Sequence, residues 1–434
     1  MDYLKKITKK IFQYEASLVL KRYKPKIIAI TGSVGKTLTR EAVYLVLSKN
    51  FFVRKNEKSF TAELGVPFTI IGCPSGKITP VRIITNILLG LKLLIWKSHY
   101  PDWLVLEIDG DKPGDLSLVS SFLSIDILIV TELGEVPAHV ESFYEIYNFL
   151  LEKKYLLNAV KREGVIIYNG DDMQVENVLR ETVSRKISYG TSGDCNVYGS
   201  DFEILYTSDK KDSIPVGMSF EIAKEPYKGQ VSIIGTVGIH NEYACLSAFA
   251  VGVELGITEK EICVSLNKYK NMQGRMNLVS GIMNSVIIDD SYNASPVAMS
   301  MAISVLGRLK CVGKKIAVLG DMLELGKYSA EEHRKLAGLL KGTASNVICV
   351  GLRMRRVSEE LLGLGFDESK IILADTSEEA GMELQKIIEE GDTVLIKGSQ
   401  SMRMEKVVEE IMRHPEDREK LLVRQEPEWL SRMN

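Results

Sequence analysis

Around Lys36 the chain reads Thr31-Gly32-Ser33-Val34-Gly35-Lys36-Thr37, directly after the apolar, β-branched run Ile27–Ile30 and before the helix-forming stretch Arg40–Leu47. A strand that feeds a glycine-rich turn and then a helix start offers backbone N–H groups to a phosphate. Lys36 adds a point charge for the β/γ-phosphates and Thr37 a hydroxyl for Mg²⁺, while Gly32, Ser33, Val34 and Gly35 make the turn. The spacing is not the common G-x-x-x-x-G-K-[S/T], because the position five before Gly35 is Ile30. Its place between strand and helix still favours nucleotide binding over an ordinary turn.

Acids come next. The run Trp103–Glu107 continues into Ile108-Asp109-Gly110, so carboxylates stand at the end of a predicted central strand. In open α/β sheets, ligands bind beyond the carboxyl ends of the strands. Glu107 there either holds Mg²⁺, a hard cation that takes oxygen ligands, or merely faces solvent; the phosphate loop nearby favours the metal. His139 follows another strand and is one of five histidines in the chain. A lone histidine is more often structural than a ligand. Lys153, in Leu151-Glu152-Lys153-Lys154-Tyr155, reads by itself as part of a charged helical face.

Arg275 precedes Asp289-Asp290-Ser291-Tyr292-Asn293-Ala294-Ser295-Pro296, which closes a strand and opens a helix. An arginine at such a junction either clamps a phosphate as two domains close or accompanies an Asx-capped turn. Further strand ends carry Gly320-Asp321-Met322-Leu323-Glu324 and Lys397-Gly398-Ser399 with Arg403 behind it.

The elements that must position these residues alternate. Ile27–Ile30, Trp103–Ile108, Ile125–Val130 and Gly164–Tyr168 are extended apolar runs separated by helical patterns. That order predicts an α/β fold with a mainly parallel, doubly wound sheet. Phe202–Tyr206, Met218–Ile222 and Val231–Ile234, broken by polar residues, read as a small antiparallel sheet beside it, followed by a helix over 241–256. A second alternation follows in Val286–Asp290, Lys315–Leu319, Asn346–Val350, Ile371–Ala374 and Thr393–Ile396, as in a Rossmann-like domain. The expected units are an N-terminal helix (1–25), a central ATP-binding domain (26–275) and a C-terminal domain (276–434). The charged tail from His414 reads as a surface helix with a loose end.

Composition sets outer limits. A chain of 434 residues suggests two or three domains, and 45% hydrophobic content a well-buried core. A net charge of −2 argues against a general nucleic-acid binder. Six cysteines without C-x-x-C spacing read as buried thiols in a reducing cytoplasm. No signal peptide is visible. Leu4, Ile7, Ile11 and Leu18 recur at helical spacing with Lys5, Lys6, Lys9 and Lys10 on other faces, a docking helix more than a lipid-binding one. Ile83–Trp96 is apolar, but Lys92 interrupts it and it is too short to span a bilayer. Ile84, Ile87, Leu88, Leu91 and Ile95 there suit a buried helix face.

In order over roughly residues 25–410 stand TGSVGKT (31–37), Gly65-Val66-Pro67, LEIDGDKPGDL (106–116), PAHVE (137–141), NGDD (169–172), GIHN (238–241), GRM (274–276), DDSYNASP (289–296), VLGDMLELG (318–326) and KGSQSMRMEK (397–406). Together they resemble the Mur ligases, within them the branch that adds D-Ala-D-Ala to UDP-N-acetylmuramoyl-tripeptide. The resemblance implies ATP-dependent amide formation through an acyl phosphate in peptidoglycan synthesis, with small peptide substrates, no nucleic acid, a monomer and a cytoplasmic setting. It implies Lys36 and Thr37 on phosphates and Mg²⁺, Glu107 and His139 on metal, and Lys153 as the family's carbamylated lysine, a carboxylate-like Mg²⁺ ligand. Asn241, Tyr292 and Asn293 would flank the nucleotide, with Arg275 on its phosphate; Asp321, Glu324, Ser399 and Arg403 would line the dipeptide site. A Mur-type ligase for another carboxylate, or a non-catalytic nucleotide-binding subunit, are the alternative readings.

The chain departs from the family pattern in places. About thirty residues precede the loop, room for a helix and a strand but not for the family's uridine-binding domain. Glu132 follows Thr131 where an asparagine is usual, and Ala244 replaces the second asparagine of H-N-x-x-N. The stretch Cys73–Pro101 is longer than expected.

Overall fold

The run Lys26–Thr31 (β1) shows no polar alternation because both faces of the strand are covered. A computed structural model describes residues 2–56, 62–74, 79–207 and 214–430, without the side chains of 2–7, 62, 63 and 428. β1 pairs in parallel with Trp103–Glu107 (β3) on one side and Ile125–Val130 (β4) on the other. Val53–Lys55 (β2) extends the β3 edge, and Val160–Asn169 (β5) and Arg185–Gly190 (β6) the β4 edge. Val197–Tyr206 (β7), Pro215–Lys224 (β8) and Tyr227–Ile234 (β9) complete a nine-stranded sheet ordered β2-β3-β1-β4-β5-β6-β7-β8-β9. The order reverses at β1, and the loop at residues 32–35 leaves from that switch point.

The antiparallel strands expected beside the main sheet are present, but they are hydrogen-bonded into it. β7 pairs in parallel with β6 and antiparallel with β8, so the three late strands lengthen the main sheet. Polar residues in β7 sit on its open face and interrupt its apolar run.

A second, six-stranded sheet joins Asn277–Ser280 (β10), Val286–Asp290 (β11), Lys315–Gly320 (β12), Asn346–Val350 (β13), Ile371–Ala374 (β14) and Thr393–Lys397 (β15), in the order β10-β11-β15-β12-β13-β14. Only β10 is antiparallel. Two apolar clusters flank the first sheet and two the second, one set of side chains on each face. β2, β6 and β10 lack the continuous buried run that marks β1, β3, β11, β12, β13 and β15.

The helix Asp2–Tyr23 packs beside Ala62–Ile71 and Pro80–Ile95. Its buried stripe is Phe12, Glu15, Ala16 and Val19, whereas Ile11 is exposed; the side chains of Leu4, Lys5, Lys6 and Ile7 lie outside the described residues. Pro80–Ile95 inverts the expectation more sharply. Its buried residues are Asn86 and Gly90, and Ile84, Leu88, Leu91 and Ile95 face solvent. Gly90 admits Glu15: a Cβ there would stand 2.7 Å from the Glu15 Oε2.

That contact carries a pH signature. Burial pushes the Glu15 carboxyl up to about 7, so the folded state holds a proton that the unfolded state has released by then. The penalty is absent below the ordinary carboxylate range and grows as pH rises towards 7. Glu15→Gln should therefore gain about 2–4 °C in Tm at pH 8 and nothing at pH 4. A pH-independent difference would contradict this assignment.

Candidate active site

Gly35, with φ +85°, ends the loop and starts the helix Lys36–Leu47. Gly32 is required by a close approach, since a Cβ there would fall 2.0 Å from the Thr131 Oγ1. The Ser33 and Val34 N–H groups donate to the Glu132 carbonyl at 2.7 and 3.1 Å. They hold the loop's shape, so the donors left for an anion are those at the helix start, which have no intrahelical acceptor. Glu132, where the chain departs from the family pattern, thus shapes the loop through its backbone. Ala244 lies beside it around a void of about 10 Å³ behind the loop.

Lys36 curls over the loop it follows. Its Nζ donates to the Gly32 carbonyl at 2.8 Å and the Ser33 carbonyl at 3.2 Å, and pairs with Asp109 at 2.8 Å. The Thr37 hydroxyl donates to the Glu107 Oε1 at 2.9 Å and accepts from the Arg275 Nη2 at 3.1 Å. Arg40, one helical turn beyond Lys36, pairs with the Glu107 Oε2 at 2.9 Å. Both Glu107 oxygens are therefore engaged, one by the Thr37 hydroxyl and one by Arg40.

The acids that converge lie just past the strand. Asp109, Asp111 and His139 offer ligand atoms within 4.8 Å of one another. Burial acts to raise the Asp109 carboxyl, but Lys36, Lys153 and His139 outweigh it and hold it at about 2. Asp111 is raised, by burial and by Asp109. Burial would lower His139, yet its hydrogen bond to Glu324 and the charge of Asp109 keep it above its ordinary value. The two carboxylates of this group are hard oxygen ligands of the kind Mg²⁺ takes.

Lys153 projects from the helix Ile146–Asn158 to 3.6 Å from Asp109. It is 2% exposed, and its Nζ has no hydrogen-bond partner. Burial lowers its pKa, only partly offset by Asp109. As an ammonium it cannot ligate a cation; the lowered pKa favours the neutral amine that a carbamate requires.

These groups face the second sheet across a cleft of about 280 Å³. From that side come Tyr292, Asn293 and Lys397, with Asn241, His240 and Arg275 from the junction. The Arg275 guanidinium lies 4.1 Å from the centroid of the Tyr292 ring. Lys397 pairs with Asp290 at 2.6 Å and donates to the Asn293 carbonyl at 2.9 Å. Ser33 Oγ, His240 Nε2, Asn241 Oδ1 and Arg275 Nε are all buried without a partner. Groups this costly to leave unsatisfied fit a polar ligand bound between the sheets.

Residues 30–252 match the Mur ligase middle domain, and residues 274–400 match the Mur ligase glutamate ligase domain. The chain belongs to the Mur ligase family. A UDP-N-acetylmuramoyl-tripeptide--D-alanyl-D-alanine ligase of Bacillus subtilis is 26% identical over 93% of this chain and 79% of its own length. The Escherichia coli protein of that name is also 26% identical, over 93% and 80%. Among solved structures, a MurF ligase from Thermotoga maritima in complex with ADP superposes with a TM-score of 0.75 at 24% identity, over 93% of this chain and 83% of that one. A pseudomurein peptide ligase type C from Methanothermus fervidus has a TM-score of 0.60 at 19% identity, over 89% and 79%. At these identities the superpositions establish a shared fold.

The residues expected to line a dipeptide site stand near the ends of the paired strands β12 and β15 in this Mur ligase, where the Ser399 N–H donates to the Asp321 carbonyl at 3.1 Å. Glu324 reaches across and bonds the His139 Nδ1. Asp321 is buried on the Met354 N–H and Arg353, and the Ser399 hydroxyl accepts from the Leu323 N–H at 2.8 Å. Arg403 lies against the Trp429 ring and pairs with Glu405. Asp321, Ser399 and Arg403 thus brace the second sheet's loops, and none lines the cleft.

Sequence reading passes over Arg40, Asp111, His240 and Lys397 as site residues. Arg40 had one signal, its i,i+4 step from Lys36, which puts both cations on one helix face.

Proposed function

We propose that this Mur ligase joins D-Ala-D-Ala to a UDP-N-acetylmuramoyl-tripeptide-type carboxylate, with ATP as the energy source and Mg²⁺ as the metal. One observation carries the reading. The phosphate loop of the first sheet and the Arg275–Tyr292–Asn293 face of the second close on a single cleft with acids and cations between them. The names of the bacterial relatives, matched over 93% of this chain and 79–80% of their own lengths, support the substrate pair. In this reading the working units are 1–25, 26–275 and 276–434, the protein acts as a cytoplasmic monomer, and its partners are small peptides.

The substrate carboxylate attacks the γ-phosphorus and ADP leaves; the amine then adds to the acyl phosphate, and inorganic phosphate departs with one carboxylate oxygen. Lys36 exchanges its loop carbonyls for phosphate oxygens, and Arg275 has an Nε–H still free to donate. Asn241, Tyr292 and Asn293 border the nucleotide. Mg²⁺, when bound, neutralises phosphate charge; Asp109, Asp111 and His139 would hold it beside Thr37. Glu107 orients Thr37 and Arg40, an indirect role.

Labelling the carboxylate with ¹⁸O tests the chemistry. One label per released phosphate is expected, and unlabelled phosphate would overturn the acyl-phosphate route. Lys153→Ala should lose about 10–100-fold in turnover, partly restored by short carboxylic acids that fill the place of a carbamate. Normal turnover in that variant would remove Lys153 from the site.

A further inference from the structure

The outer side of the helix Pro80–Ile95 is an unbroken apolar stripe. Val81, Ile84, Leu88, Leu91 and Ile95 recur at three- and four-residue steps, and each is 42–71% exposed. Trp96 ends the stripe, and it too is largely exposed. The neighbouring helix Asp2–Tyr23 adds Ile11 and Tyr14 beside an apolar groove between the two helices. Proteins seldom leave a contiguous apolar face of this kind to water without a use for it.

Charge identifies the occupant. Residues 1–26 and 74–100 carry twelve Lys and Arg against two Asp and Glu, whereas the whole chain has 55 against 57. One of those two acids, Glu15, is buried beneath Gly90. Lys10, Lys21, Lys92 and Lys97 stand exposed on these two segments. A second copy meeting this face about a two-fold axis would bring like charges together. A nucleic acid would engage the lysines but leave the isoleucines and leucines in water.

We propose that this face lies on an anionic lipid surface, with the stripe at the headgroup–acyl boundary, Trp96 and Tyr14 at the interface and the lysines on lipid phosphates. No described helix is long and apolar enough to cross a membrane. The association is therefore peripheral.

Cosedimentation of the full chain with phosphatidylcholine vesicles, with and without phosphatidylglycerol, tests the proposal. Binding to the anionic vesicles should exceed that to the neutral ones by about tenfold and fall with added salt. Ile84→Asp with Leu88→Asp should abolish it while leaving Tm and turnover in solution unchanged. Lys92→Glu with Lys97→Glu should remove the preference for anionic lipid. Equal partitioning of native and Asp-substituted chains would overturn the proposal. So would a native dimer, lost in the Asp variant, with no vesicle binding; that result would assign the face to a second copy.

Discussion

Lys36→Ala should keep its fold and lose about 100- to 1,000-fold in turnover. The side chain's present partners are two loop carbonyls and Asp109, so its removal strands no buried charge of the core. What disappears is a cation placed at the mouth of the phosphate loop, where negative charge shifts during phosphoryl transfer. Nucleotide binding should weaken far less than turnover, because the helix-start N–H groups stay in place. Tm within about 2 °C of the native value, measured alongside, separates this from misfolding. Turnover within a few-fold of native would remove the loop from the chemistry.

Arg40→Met should instead act on stability. Arg40 is 1% exposed, and its guanidinium spans Glu107 and Glu41. Glu41 keeps Lys55 as a partner, but Glu107 would retain only the Thr37 hydroxyl and the buried Asn56 amide against its backbone. An uncompensated carboxylate at the end of a central strand costs about 3–5 kcal/mol. Glu107→Gln in the same chain removes that charge and should recover part of the loss. Urea unfolding of the two single variants and the double variant measures the coupling. A single-variant cost below about 1 kcal/mol would show that the pair is not what holds the strand end.

How legible this was depended on the kind of signal. β1, β3, β4 and β5 lie covered on both faces, so their apolar runs announced themselves. The phosphate loop was equally plain, since its glycines answer to steric needs at Gly32 and Gly35. Period alone could not say which face of Pro80–Ile95 is covered. The missed clue was Asn86 and Gly90, small or polar residues one turn apart that let Glu15 approach. Charge partnerships across long separations were also invisible: nothing in the sequence tied Glu107 to Arg40, which looked like any helical arginine. Asp109 was visible at the strand end, yet only folding shows that it, Asp111 and His139 converge.

The central claim is that this cleft ligates, and does not merely bind, its nucleotide. Phosphate release from ATP with Mg²⁺, UDP-N-acetylmuramoyl-tripeptide and D-Ala-D-Ala, followed together with product mass, tests it most directly. Release that requires both peptides and yields the ligated mass is the expected result. Nucleotide binding without release, or release that ignores either peptide, would contradict it.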